Sequence, residues 1–388
     1  MIHSKTSSDL IASRSTCPLA MFLLLAILAC FQSQGLATQK NNIHLKMIEN
    51  RHWLLKPDGS PFFAHGITHV NNSKHQVAHQ RIAKASQELG FNAFGYGCPR
   101  SLRKELPYLE GRNILAISTY RNDESFEFID IFDPAEQNKL EKQIEELCLK
   151  NKDNPNLIGY CWTDLGAWPL KNSTGKNWVE FIRNLPKNSP GKIAYQNFSK
   201  QWQGESSTIK DRAFLRVIAR TYFTLLGTTN RRHDPDHLIF GDRLGFETIV
   251  PEVLEEMLPW VDAIALQPPY LPFFPTEKFD QLYLDTGKPI LICDFAIRFK
   301  DGDTPVRGIL QPSDRVAGQL YSNYIKAALK TPYIIGSFWC NPIDTQAPFN
   351  HVGIKQGLFK PSLESRQDLN QIIRDLNLHI SSITPQNL

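Results

Sequence analysis

The sequence predicts a (β/α)8 barrel, and three observations carry that reading. Eight short apolar runs of strand type recur between residues 62 and 339, with helix-type segments between them. The runs are apolar throughout rather than alternating, as expected of parallel strands covered on both faces. Eight such units in about 330 residues fit a closed barrel, and no GxGxxG or P-loop follows the first run to favour an open nucleotide-binding sheet.

In chain order, a hairpin comes first. His44 to Glu49 and His52 to Leu55 are its arms, and Pro57-Asp58-Gly59 makes a second tight turn before Pro61. The eight strand candidates follow at 62–69, 91–96, 114–119, 157–162, 237–241, 261–267, 289–294 and 333–339. Helical spacing marks 77–89, 134–150, 212–230, 251–257, 277–284, 313–329 and 363–376. The segment at 134 opens well, with Asp133 as N-cap and Pro134 in the first helical position. Residues 163–208 interrupt the rhythm. They read as a long loop after the fourth strand, on the face where barrels place their chemistry.

Residues 38–388 are expected to form one domain. Before them, Lys5 and Arg14 precede the apolar run from Leu19 to Cys30, an export signal too short for a comfortable membrane span. Gly35-Leu36-Ala37 suits ordinary cleavage after residue 37. Ile27-Leu28-Ala29-Cys30 suits a lipoprotein signal of 1–29, with Cys30 lipidated as a membrane tether. Both exits remain open. A net charge of +4 over 388 residues, with no basic block, gives little support to a nucleic-acid partner, and none is expected. After residue 37 the cysteines are Cys98, Cys148, Cys161, Cys293 and Cys340, mostly in apolar runs, which suits buried thiols rather than a disulfide scaffold. Neither CxxC nor HExxH spacing occurs, so no metal or other cofactor is expected.

Strand tips in a barrel share one cleft, so carboxylates at the tips are the residues to follow. Asp294 ends the seventh run and Asp164 follows the fourth. Two carboxylates in one cleft are the minimum for cleaving a glycosidic bond. Asp242 and Arg243 end the fifth run, either as an ion pair or as a third acid beside a hydroxyl-binding cation. His65 and His69 lie four apart on the first run and so share a face. His69, at the tip, is the one placed to reach a ligand.

The stretch Asp153-Asn-Pro-Asn-Leu-Ile-Gly-Tyr-Cys-Trp-Thr-Asp-Leu-Gly-Ala-Trp168 resembles the fourth strand of clan A glycoside hydrolases, the agarase-like members in particular. Trp53 to Gly66, Leu89 to Phe94, Ile131 to Pro134, His233 to Arg243 and Lys288 to Phe295 resemble other segments of that family in the same order. The resemblance spans most of residues 50–360. It implies that Asp294 stands at the nucleophile position, where the family has Glu. It also puts Leu165 at the general acid/base position, leaving Asp164, one residue earlier, as the candidate acid. It further implies sugar contacts from Trp339 as a stacking floor, with Trp162 and Trp168 as further aromatic contacts, and Tyr270 as support for the nucleophile. Asp344 and His351 lie in the loop beyond the eighth strand, within reach of hydroxyls.

The expected function is therefore an exported glycoside hydrolase acting on a β-linked poly- or oligosaccharide, with an algal galactan such as agarose as one candidate. The rival is a barrel of the same ancestry that binds glycans without cleaving them, with Leu165 as the mark of lost catalysis. A metal-dependent hydrolase is disfavoured, because the sequence shows no His/Asp ligand set at the tips.

Overall fold

The computed structural model describes residues 41–70, 76–117, 126–170, 177–204, 207–301, 308–349 and 352–388. The export segment and Cys30 lie outside the described residues, as does His351. The hairpin forms as the sequence predicts. His44–Ile48 pairs antiparallel with Arg51–Leu55. The two turn residues, Glu49 and Asn50, have φ of 49° and 63°, the pair of left-handed residues that a type I′ turn needs. His52 N–H donates to the Pro332 carbonyl and Arg51 Nη2 to the Ile334 carbonyl, so the hairpin is tied to the entrance of the last barrel strand.

The barrel strands are β1 (Ala64–Ile67), β2 (Ala93–Phe94), β3 (Tyr108–Gly111), β4 (Leu157–Cys161), β5 (Leu238–Gly241), β6 (Ile264–Gln267), β7 (Ile290–Phe295) and β8 (Ile334–Trp339). Every neighbouring pair in this sheet is parallel. The fifth strand closes the ring in two pieces. Its first half pairs with β4, while its continuation Leu244–Gly245 pairs with Leu266 and Gln267 of β6. Between the halves, Gly241 has φ +72°, and a Cβ there would stand 2.7 Å from Met257 Sδ. Glycine is required at this break, and the break swings Asp242 and Arg243 to the top of the barrel.

Side-chain alternation divides the core into two layers. Leu109, Cys161, Phe240, Ala265, Leu291, Cys293 and Phe338 pack inside the barrel, with Leu54 and Phe62 of the hairpin region closing its lower end. Tyr160, Trp162, Ile239, Leu266, Ile292, Phe295 and Trp339 face the helices. The helices are α1 (Gln76–Glu88), α2 (Pro134–Leu149), α3 (Trp178–Arg183), α4 (Pro190–Gln201), α5 (Ser207–His233), α6 (Pro251–Met257), α7 (Thr276–Thr286), α8 (Asp314–Lys330) and α9 (Gln367–Ser381). Asp133 caps α2 by accepting from Ala135 N–H, as its position predicts.

Two expectations need correction. The third strand is at Tyr108–Gly111, six residues before the expected start at 114. Ile114, Leu115 and Ile117 are buried, but above the strand tip, where the chain folds over the barrel mouth. The apolar run at 114 marked that burial and not a ladder. The stretch 163–208 is also not all loop. Asn177 caps α3 by accepting from Glu180 N–H, and Pro190 opens α4. The first is only six residues long and the second is rich in polar residues, so neither stood out in the sequence. The five cysteines after residue 37 are unpaired and buried.

Candidate active site

Asp294 is aimed by a defect in its strand. Ile292 is in register with Ser337, but Phe295 is in register with Trp339, so β7 carries one residue more than β8 over this span. A bulge of this kind re-aims side chains and commonly sits beside active sites. Ile292 and Phe295 both face the helices, and the extra residue releases the Asp294 carboxylate to the cleft side.

Three hydroxyl or imidazole groups converge on that carboxylate. Thr68 Oγ1 donates to Oδ1 at 3.2 Å, Tyr96 OH to Oδ2 at 2.5 Å, and His69 Nε2 lies 3.3 Å from Oδ2. Burial pushes the carboxyl up, but the charge of His69 and hydrogen bonds from His69, Cys340 and Tyr96 outweigh it. Asp294 ends below the ordinary carboxylate value and is ionised at neutral pH. Burial raises the Tyr96 phenol well above its usual range, so it stays a donor.

Asp164 follows β4. Asn113 Oδ1 accepts its backbone N–H at 3.0 Å, and its carboxylate pairs with Arg243 Nη2 at 2.6 Å. Burial raises its carboxyl. Arg243 opposes and the Asp294 charge adds, leaving Asp164 above its usual value. The two carboxylates thus sense each other, and their surroundings push them in opposite directions. Arg243 connects them physically: its guanidinium carbon lies 3.4 Å from the Tyr96 ring centroid, and Tyr96 in turn holds Asp294. The Arg243 backbone N–H is fixed by the Thr163 carbonyl.

Other expected site residues fall into place differently. Asp242 does not pair with Arg243. Its Oδ1 accepts from Thr163 N–H at 3.1 Å, and burial pushes its carboxyl up to about 7. His65 and His69 do not share a face. β1 ends at Ile67, and His69 takes φ +59°, which breaks the alternation. His65 points to the helices, where it meets Tyr321 OH and Asn377 Oδ1, and burial lowers its imidazole to about 4. Trp339 is fully buried on the helix side, donating from Nε1 to the Gln356 carbonyl and packing on Tyr321. It presents no face to the cleft, because a residue on the outward phase of β8 cannot also line the mouth. Trp162 is outward for the same reason and donates to Asn230 Oδ1. Trp168 stacks on Trp178 at a centroid distance of 5.1 Å. Tyr270 lies over the Arg298 guanidinium and near Cys340, while Tyr96 contacts Asp294 directly. Asp344 is a buried anchor: it accepts from the backbone of Gln356 and Gly357 and pairs with Arg366 and Lys355.

Thr68, Tyr96, Asn113 and Cys340 were not foreseen as site residues. Tyr96 and Cys340 had a signal available, since each stands at or just past the tip of a predicted strand. Leu165, at the general acid/base position, is buried with φ +43°. With His69 and Asn341 (φ +55°), it is one of three non-glycine left-handed residues just beyond barrel strands, where strained backbone collects around functional sites. A cavity of about 610 Å³ lies elsewhere, against α6 and α7 and lined by Phe246, Glu247 and Lys278. No convergence of buried acids accompanies it, so the strand tips remain the candidate site.

The strands and helices define an α/β barrel, and solved structures similar to this chain share that fold. The agarase AgWH50C matches with a TM-score of 0.73 at 14% identity, over 96% of this chain and 70% of its own. An exo-beta-agarase matches at 0.75 and 12% identity, over 95% and 71%. A beta-glucuronidase from an uncultured Clostridium sp. matches at 0.57 and 12%, over 87% and 53%. At these identities the likeness is one of fold. No family model matches the chain, and no curated protein does.

Proposed function

We propose that this protein is an exported glycoside hydrolase acting on a β-linked poly- or oligosaccharide, with a galactan as the first substrate class to test. Asp294 serves as nucleophile or water-activating base, and Asp164 as the acid that protonates the leaving oxygen. The observation that carries this is the divergence of the two carboxylates. Asp294 is held ionised by the donors around it while Asp164 is pushed up, the division of labour that acid and base partners need. Agarases among the similar structures support the galactan choice. Arg243 and Tyr96 hold the two acids in a fixed relation. A carboxyl spacing near 5–5.5 Å goes with retention and a wider one with inversion, and aspartates on both sides favour the wider case.

One observation favours a second reading. Leu165 stands at the expected acid position, and Asp164 is engaged by Arg243. A barrel that binds glycan without cleaving it accounts for both. The test is reducing-sugar release from β-galactans, β-glucans and β-mannans by the purified protein, beside Asp294→Asn and Asp164→Asn. Release that is lost in either variant supports the hydrolase. Binding to one glycan without release supports the second reading.

A further inference from the structure

Cys340 supports the Asp294 carboxylate, and it also completes a cluster. His69, Asp294 and Cys340 each offer one donor atom, and the three atoms lie within 4.8 Å of one another. The nitrogen and oxygen are already 3.3 Å apart. The donors stand on three adjacent strand ends. Cys340 N–H donates to the Phe295 carbonyl, Thr68 N–H to the Trp339 carbonyl and His69 N–H to the Tyr96 carbonyl, so the backbone fixes their spacing. Further contacts orient the donors themselves. Tyr96 and Thr68 hold the carboxylate, Asn341 Nδ2 reaches the Cys340 sulfur at 3.4 Å, and Gln356 Nε2 holds the Cys340 carbonyl. Outer contacts of this kind orient metal ligands. His69 within the cluster and Asn341 beside it both carry positive φ. Asp294 is almost wholly buried and Cys340 nearly so, but the His69 side chain is 23% exposed, which leaves one approach open.

We propose that His69 Nε2, Asp294 Oδ2 and Cys340 Sγ form a three-ligand site for a borderline-soft divalent transition metal such as zinc, with the fourth position open to the cleft. A mixed nitrogen, oxygen and sulfur set with one free position is the donor pattern of open tetrahedral zinc sites. Binding replaces the His69–Asp294 hydrogen bond and releases the thiol proton of Cys340 to solvent. An ion there also occupies the carboxylate that hydrolysis needs, so zinc inhibits the enzyme; that consequence alone rests on the hydrolase reading.

The test is a cobalt(II) titration of the reduced, purified full chain, with no substrate present. One cobalt per chain is expected, with a thiolate-to-metal charge-transfer band and the strong visible bands of a tetrahedral ion, all displaced by zinc. Cys340→Ser should lose the charge-transfer band while far-UV circular dichroism stays unchanged. His69→Ala should weaken binding at least tenfold, and Cys98→Ala should change neither property. Absence of the bands in the parent protein overturns the site. So does a charge-transfer band that survives in Cys340→Ser, or affinity unaltered in His69→Ala. Because the readout is spectroscopic, a protein that is inactive when assayed free of metal but binds cobalt refutes the hydrolase and leaves the metal site standing.

Discussion

Asp242→Asn isolates the electrostatic cost of building this barrel mouth. Asp242 is 1% exposed, and burial pushes its carboxyl from the usual 3.8 up to about 7. A carboxyl whose folded value is raised favours folding while it is protonated. That contribution is complete below about pH 4 and is lost as pH rises through about 7. A shift of about three units at 1.36 kcal/mol each sets a ceiling of about 4 kcal/mol. Asparagine keeps the oxygen that accepts from Thr163 N–H but does not titrate. Urea unfolding of parent and variant at about pH 4.5, near the lower end of this window, and at about pH 8, above it, measures the effect. The stability difference should move toward the variant by about 2–4 kcal/mol between the two pH values. An unchanged difference would refute the assignment of a raised carboxyl at Asp242.

Three further outcomes follow from the same network. Arg243→Met leaves the Asp164 carboxylate without its partner and should lower stability by about 3–5 kcal/mol in denaturant titration. Tyr96→Phe removes one charge-assisted donor from Asp294. Steady-state assay should show turnover reduced about tenfold to a hundredfold, from a bond worth about 1.5–3 kcal/mol. Leu165→Glu puts a carboxyl into a buried position and should cost at least about 2 kcal/mol by the same denaturant assay, with no gain in sugar release. A tenfold or greater gain would instead mark the parent as a glycan-binding barrel that lacks its acid.

The strand and helix rhythm was legible because parallel strands buried on both faces are apolar throughout. Seven of the eight strand positions could be read from that signal. The third could not, since Ile114 to Ile117 are as apolar as a strand but are buried by folding over the barrel mouth. The acids were legible as residues at strand tips. Their environment was not, because it depends on backbone irregularities that composition does not encode. The extra residue in β7 turns Asp294 inward, the glycine break in the fifth strand turns Arg243 toward Asp164, and the left-handed His69 leaves the face of His65. The aromatic expectations failed for a simpler reason. Trp162 and Trp339 lie on the outward phase of their strands, and a one-residue difference in phase decides between cleft and core.

The division of roles between the two acids is the central claim, and an aryl β-galactoside with a good leaving group tests it most directly. Such a substrate departs without protonation, so it bypasses the acid but still requires the nucleophile or base. Turnover of this substrate should persist in Asp164→Asn and vanish in Asp294→Asn, with both variants folded. Equal turnover by Asp294→Asn and the parent would contradict the account.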